Sequence, residues 1–185
     1  MAKYSMLMLA VIQIFLTGCA TNNADPKYYT LDMRPSGTAN IQKNIEIDRL
    51  KPVEQLIRQE ILIQKSHTEV EYYAADRWAA SIDVLIMEKL KSEFGEPREA
   101  NPTLILDGVI YEFGQAELDN KVNARVKIEL NIRKQDASRY DTPLLTRTYI
   151  EEIPAAPATP KAIATALSRA LEHIAVRIAT DVNQL

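Results

Sequence analysis

The sequence predicts an α+β fold, a two-layer sandwich with a mainly antiparallel sheet and two long amphipathic helices on one face. Two observations carry this. Val122, Ala124, Val126, Ile128, Leu130 and Ile132 alternate without a miss against Asn123, Arg125, Lys127, Glu129, Asn131 and Arg133. One strand face is therefore dry and the other wet, which suits an antiparallel sheet better than a fully covered parallel one. Near the C-terminus, Ile163, Leu167, Leu171, Ile174, Ile178 and Val182 fall within about 100° of arc at the helical period. That stripe needs a sheet face to lie on.

Taken in order, the chain opens with a leader. Lys3 gives a positive start, Leu7–Leu16 is apolar apart from Gln13, and Thr17 and Gly18 are small. This is the pattern of a secretory signal peptide over residues 1–18. Ten residues at about 1.5 Å each reach roughly 15 Å, half the hydrocarbon thickness of a bilayer, so the segment is too short to span one. Next comes Cys19, the only cysteine in the chain. Leu16-Thr17-Gly18-Cys19 resembles the bacterial lipobox, which makes Cys19 the expected lipidation site, carrying palmitate-type acyl chains. Residues 19–26 then form a lipidated tether, and residues 27–185 a single globular domain.

Within that domain, Lys27–Met33 (KYYTLDM) has the aromatic and β-branched content of a first strand. Residues 34–44 read as a loop and 45–50 as a strand. Pro52 is suited to open a short helical turn running to Gln59. The runs 60–65 and 69–73 are strand-like, and Ser66-His67-Thr68 between them marks a hairpin. From Asp76 the period becomes helical. Trp78, Ile82, Leu85, Ile86 and Leu90 share a face, Asp76 is a candidate N-cap, and Gly95 with Pro97 stops the helix near Phe94. Strands follow at 103–116, with Asp107-Gly108 as a bulge candidate, at 121–134 and at 144–153. Pro154, Pro157 and Pro160 mark an extended connector, and Thr159-Pro160 is an N-cap followed by a first-turn proline.

Composition restricts the functional classes. Once the leader is removed, 167 of the 185 residues remain, enough for one domain with a sizeable core. The formal net charge is −3 with no basic stripe, so nucleic acid is not an expected partner. The tethered thiol leaves none for a disulfide. Only two histidines are present. His67 falls in the hairpin turn and His173 at the border of the last helix's apolar stripe, and neither has the companions a zinc site needs. Neither a phosphate-cradling glycine run nor a nucleophile elbow occurs. Glu69/Glu71 and Glu151/Glu152 read as strand-surface charges. No catalytic residue, cofactor or metal is expected, and the chain does not read as an enzyme. Two aromatic pairs remain, Tyr28-Tyr29 and Tyr72-Tyr73. In a strand each pair points one ring inward and one outward, and the four tyrosines are candidates for a partner interface as well as for edge packing.

The order of these segments resembles the ABC-type transport auxiliary lipoproteins, the PqiC-like group. The segments are KYYTLDM soon after the cysteine, EILIQK and TEVEYYAADRWAASIDVLIMEKL, ILDGVIYEFGQ, VNARVKIELNIR and IATALSRALEHIAVRIA. The resemblance implies a helix starting around Arg77-Trp78-Ala79. It also implies a non-enzymatic periplasmic accessory of an MCE-type lipid transport system, with an MCE-domain protein as partner and homo-oligomerisation as a further option. Outer-membrane residence is expected because Ala20, not Asp, follows the lipid-bearing residue. Two other roles stay open at this point: a regulatory lipoprotein that binds a cell-wall synthase, and a lipid carrier with an internal cavity.

Overall fold

The computed structural model describes residues 25–95, 104–119, 121–138 and 140–185. The leader, Cys19 and the first part of the tether lie outside them. Seven strands form one open, mixed sheet: β1 (Lys27–Tyr29), β2 (Ile45–Pro52), β3 (Glu60–Gln64), β4 (Val70–Trp78), β5 (Leu104–Leu118), β6 (Lys121–Lys134) and β7 (Leu145–Pro154). Two helices, α1 (Ile82–Phe94) and α2 (Pro160–Gln184), complete the α+β architecture. The sheet order is β1-β4-β3-β5-β6-β7, and β2 lies beside the first half of β5 on the edge that β3 uses further along. The long ladders, β5–β6 and β6–β7, are antiparallel, as is β3–β4; β1–β4, β2–β5 and β3–β5 are parallel.

The alternation of β6 sets the layering. Ala124, Val126, Ile128, Leu130 and Ile132 are all buried beneath the helices, and the residues between them face the other way. The apolar stripe of α2 (Ile163, Leu167, Leu171, Ile174, Ile178, Val182) is wholly buried, and the helix packs on β6, β7, β5 and α1. Its start matches the sequence signal: Thr159 Oγ1 accepts from Ala162 N–H at 3.3 Å with Pro160 in the first turn. α1 buries Ile82, Leu85, Ile86 and Leu90 against α2 and β2.

Several local expectations are corrected. The helix expected from residue 77 begins only at Ile82, after an N-cap at Ser81. Asp76, Arg77 and Trp78 belong to β4. Trp78 N–H donates to Gln59 O at 2.7 Å and Ala79 N–H to Tyr29 O at 2.8 Å, so long-range pairing overrides the helical period. Trp78 is core, as its stripe suggested, but it enters from a strand and packs on Phe113 with ring centroids 5.3 Å apart. The first strand ends at Tyr29. Pro52 closes β2, and the turn after it is a 3-10 helix over Glu54–Leu56. The β5 irregularity against β6 lies between Ile110 and Glu112, not at Asp107-Gly108. Gly108 serves another purpose, since a Cβ there would meet Glu129 O at 2.1 Å.

Between β1 and β2 the chain crosses the helix layer as a strap. Leu31 is buried, and Asp32 N–H donates to Ser168 Oγ at 3.0 Å. Lys89, fully buried, donates to Arg34 O at 2.9 Å, Glu93 Oε1 at 2.6 Å and Glu172 Oε1 at 3.2 Å. Glu93 in turn accepts from Ser36 N–H and Ser36 Oγ–H. Further along, Asn183 accepts from Gln42 N–H at 2.9 Å and donates to Asn40 O at 2.8 Å.

Candidate functional site

No α-helix among the described residues covers the face of the sheet opposite α1 and α2, and its chemistry divides into two zones. Over β5, β6 and β7 it is an ionic ladder. Arg125 pairs with Glu112 and Glu152, Arg133 Nε donates to Asp107 at 3.1 Å, and Asn131 Nδ2 donates to Asp107 Oδ1 at 3.0 Å. Thr146 Oγ1 donates to Asn131 Oδ1 at 2.7 Å. Towards β3 and β4 apolar side chains join the polar ones. Leu62, Val70, Val53 and Leu56 border a groove of about 280 Å³ that passes over Gly114 and Ala116 and is lined as well by Gln55, Gln64, Glu112, Arg125 and Lys127. The groove exists because two successive outward positions of β5 carry almost no side chain. A Cβ on Gly114 would meet Leu62 O at 2.5 Å, so the close approach of β3 keeps that position empty.

Register separates the four tyrosines into two pairs. Tyr28 lies beside Arg77 and faces the helix-free side, 59% exposed. Tyr72 lies opposite Leu62 on that same side, where its hydroxyl donates to Gln55 O at 2.9 Å and the Arg58 guanidinium sits 4.4 Å from its ring centre. Tyr29 and Tyr73 turn to the helix side. Tyr29 donates to Asp76 Oδ1 at 2.8 Å, and this bond to a carboxylate, with some burial, raises the phenol's pKa. Tyr73 donates to Gln115 Oε1 at 2.6 Å, Gln115 Nε2 donates to Glu117 Oε1 at 2.6 Å, and Lys65 closes the chain on Glu117. Burial raises the Tyr73 pKa, while the Lys65 ammonium holds the Glu117 carboxyl below its usual range. The candidate interface residues thus divide into an outward pair, Tyr28 and Tyr72, and an inward pair committed to hydrogen bonds.

Sequence reasoning missed three contributors to the outward surface. Ile57 is 59% exposed, Val70 is 44% exposed, and Arg58 is stacked on Tyr72. Ile57 and Arg58 lie between elements, where no periodicity marks a surface. Val70 opens a strand whose facing depends on its partner.

His67 is exposed in the β3–β4 turn, and His173 Nδ1 lies 2.8 Å from Glu151 at the helix border. Asp181 accepts from the buried Tyr149 hydroxyl at 2.7 Å and pairs with Arg147; burial, then the Asp181 bond, raises the Tyr149 pKa. A second hollow, about 370 Å³, lies between the 154–159 connector and the first turns of α2, flanked by Lys161 and Arg169. Among the described residues no group of three or more His, Cys, Asp or Glu side chains is placed to hold a metal ion. No helix among them is long and apolar enough to cross a membrane.

An open mixed sheet with two helices packed on one face defines the fold as α+β. The chain belongs to the ABC-type transport auxiliary lipoprotein family, whose model matches residues 29–179. In structure it is similar to a Xanthomonas campestris protein of the DUF330 family (TM-score 0.68, 12% identity, 88% of this chain and 100% of that one). It is likewise similar to an uncharacterised protein of known crystal structure (TM-score 0.67, 13% identity, 86% of this chain and 99% of that one). At such identities these likenesses show the fold alone. No curated protein matches the chain in sequence.

Proposed function

We propose that the protein is a non-enzymatic docking component of an MCE-type lipid transport system. In this reading it is anchored through lipidated Cys19 to the periplasmic face of the outer membrane and engages the periplasmic part of an MCE protein. The observation that carries the reading is the placement of Tyr28. It is exposed on the helix-free face directly after the tether, and Tyr72, Ile57 and Val70 lie on or beside that face further along. Tyrosine and arginine are enriched where proteins meet, and Arg58 is stacked beside Tyr72. A tether of about seven residues reaches at most roughly 25 Å, so the partner must come to the membrane, as a conduit bridging two membranes does. Anchoring raises effective concentration, so weak individual contacts suffice when several copies engage one oligomeric partner.

The test is co-purification of the lipidated full chain with the co-encoded MCE protein. Tyr28→Ala with Tyr72→Ala should abolish retention while the fold persists; Tyr29→Ala should act through stability instead. If wild type retains no MCE protein, the docking role gives way to the cell-wall regulator. Ala20→Asp should move the protein to the inner membrane on fractionation, and a wild-type protein already resident there contradicts the outer-membrane placement.

A further inference from the structure

The sheet is open along most of β4. β1 pairs only with Asp76, Arg77 and Trp78, and no strand among the described residues lies beyond Val70–Ala75. Lys65 N–H donates to Glu69 O at 2.9 Å, which fixes the alternation of the strand. Residues 69 and 71 bond inward to β3, so Val70 and Tyr72 turn their backbone N–H and C=O groups to the open side. An edge of this kind templates the addition of another strand.

The β2 edge is defended, and β7 has one of its carbonyls occupied. β2 breaks register between Ile47 and Arg49, exposes Asp48, Arg49 and Lys51, and ends in Pro52. On β7, Arg177 Nη1 donates to Ile150 O at 2.9 Å and so occupies an outward carbonyl from the helix side. The run Val70-Glu71-Tyr72-Tyr73-Ala74-Ala75 has no lysine and no proline, and its valine and tyrosines favour extended pairing.

The two faces of this edge differ in chemistry. On the helix-free side stand Val70 and Tyr72, with the groove beyond them. On the helix side Glu71 lies in register with Ile63, and the charges of Glu69, Glu71 and Glu117 all act on Lys65. Three carboxylates against one ammonium leave that side acidic. We propose that the β4 edge receives an extended segment of a partner protein in which basic and apolar residues alternate. The basic side chains face Glu69 and Glu71, and the apolar ones face Val70, Tyr72 and the groove. Main-chain bonds supply affinity in such strand addition, and side chains on alternate faces supply specificity. The inference deepens the docking role and rests on it for the partner's identity alone.

The experiment uses the full chain in detergent and three labelled octapeptides: alternating lysine and valine, alternating glutamate and valine, and four lysines followed by four valines. Fluorescence anisotropy gives affinity, and amide hydrogen exchange reports on Val70 and Tyr72. The alternating basic peptide should bind at least about tenfold more tightly than either control and slow exchange at both amides. Glu71→Lys should weaken it by about tenfold, the scale set by reversing one facing charge. Equal binding of the three peptides, or binding without protection at Val70 and Tyr72, overturns the proposal. Protection that rises with protein concentration in the absence of peptide assigns the edge to a second copy and also overturns it. Co-purification of an MCE protein alongside failed peptide binding removes the strand-addition site and leaves the docking role standing; the reverse pattern removes that partner and leaves the site.

Discussion

Lys89 makes the most demanding prediction of the fold. Its ammonium is fully buried between α1, α2 and the 30–44 strap, and three oxygens share it: Arg34 O, Glu93 Oε1 and Glu172 Oε1. Lys89→Met keeps the apolar stem and removes the charge, leaving a buried Glu93 carboxylate without its cation. Breaking one side of a buried pair costs about 3–5 kcal/mol, a large part of the roughly 5–15 kcal/mol that holds a domain together. For a domain of this size the melting temperature should fall by about 6–20 °C. The assay is urea unfolding followed by the fluorescence of Trp78, the only tryptophan and a fully buried one. The same network sets a pH response. Burial pushes the Glu93 carboxyl up, but hydrogen bonds from Lys89 and Ser36 outweigh it and hold the pKa below the ordinary value. A lowered folded-state pKa gives stability that is complete above the unfolded value, about 4.3, and is lost as pH falls towards the folded one. Wild type should therefore weaken below about pH 5, and Glu93→Gln should flatten that loss. A Lys89→Met protein within 1 kcal/mol of wild type, or an unchanged acid profile in Glu93→Gln, refutes the clamp.

The other predictions concern packing and processing. Leu171→Ala, at a wholly buried position of α2, should cost about 2–5 kcal/mol, while Arg169→Ala on the exposed side should stay within about 0.5 kcal/mol; equal costs in urea unfolding would mean that the helix face is misassigned. Gly108→Ala drives a Cβ to 2.1 Å from Glu129 O and should cost about 3 kcal/mol or more, read as a lowered melting temperature. Cys19→Ala should accumulate unprocessed precursor, and mass spectrometry of the wild-type N-terminus should find acylated Cys19; an unmodified mature chain contradicts lipidation.

What could be read from the sequence was whatever repeats locally. The alternation of residues 122–133 and the stripe from Ile163 to Val182 each report their own burial, and the structure places both in the core. Pairing between distant segments leaves no such trace. Trp78 and Ala79 fit the helical period of Ile82, Leu85 and Ile86, yet Gln59 draws Trp78 into the sheet and Tyr29 takes the Ala79 N–H. β2 pairs in parallel with β5, Ile45 beside Leu104, and nothing near either strand announces the other. At the candidate site the alternation rule correctly gave each tyrosine pair one ring on each side. Which ring faced out depended on the register of β4 with β3 and β1. Lys89 and Glu93 are charged letters four apart on a mostly apolar helix face, and their burial makes sense only with Arg34, Ser36 and Glu172 brought beside them.

The buried charges and the candidate interface are linked through β1. That strand is three residues long and pairs with β4 only at Asp76, Arg77 and Trp78, a ladder too short to hold a chain end by itself. The strap that follows is polar, RPSGTANIQKN between Arg34 and Asn44, and has no periodic apolar face to bury. Apolar packing can therefore secure it at only a few points, such as Leu31. The rest of the hold is made with hydrogen bonds: Asp32 to Ser168, Lys89 to Arg34, Ser36 to Glu93 and Gln42 to Asn183. Each joins the strap to a helix of the opposite layer. The C-terminal end of β1 is thus tied through the strap to α1 and α2, while its pairing with β4 sets Tyr28 beside Arg77. Buried ion pairs are a weak source of net stability. Here Lys89 and Glu93 fix the course of a connecting segment that its own side chains could not fix.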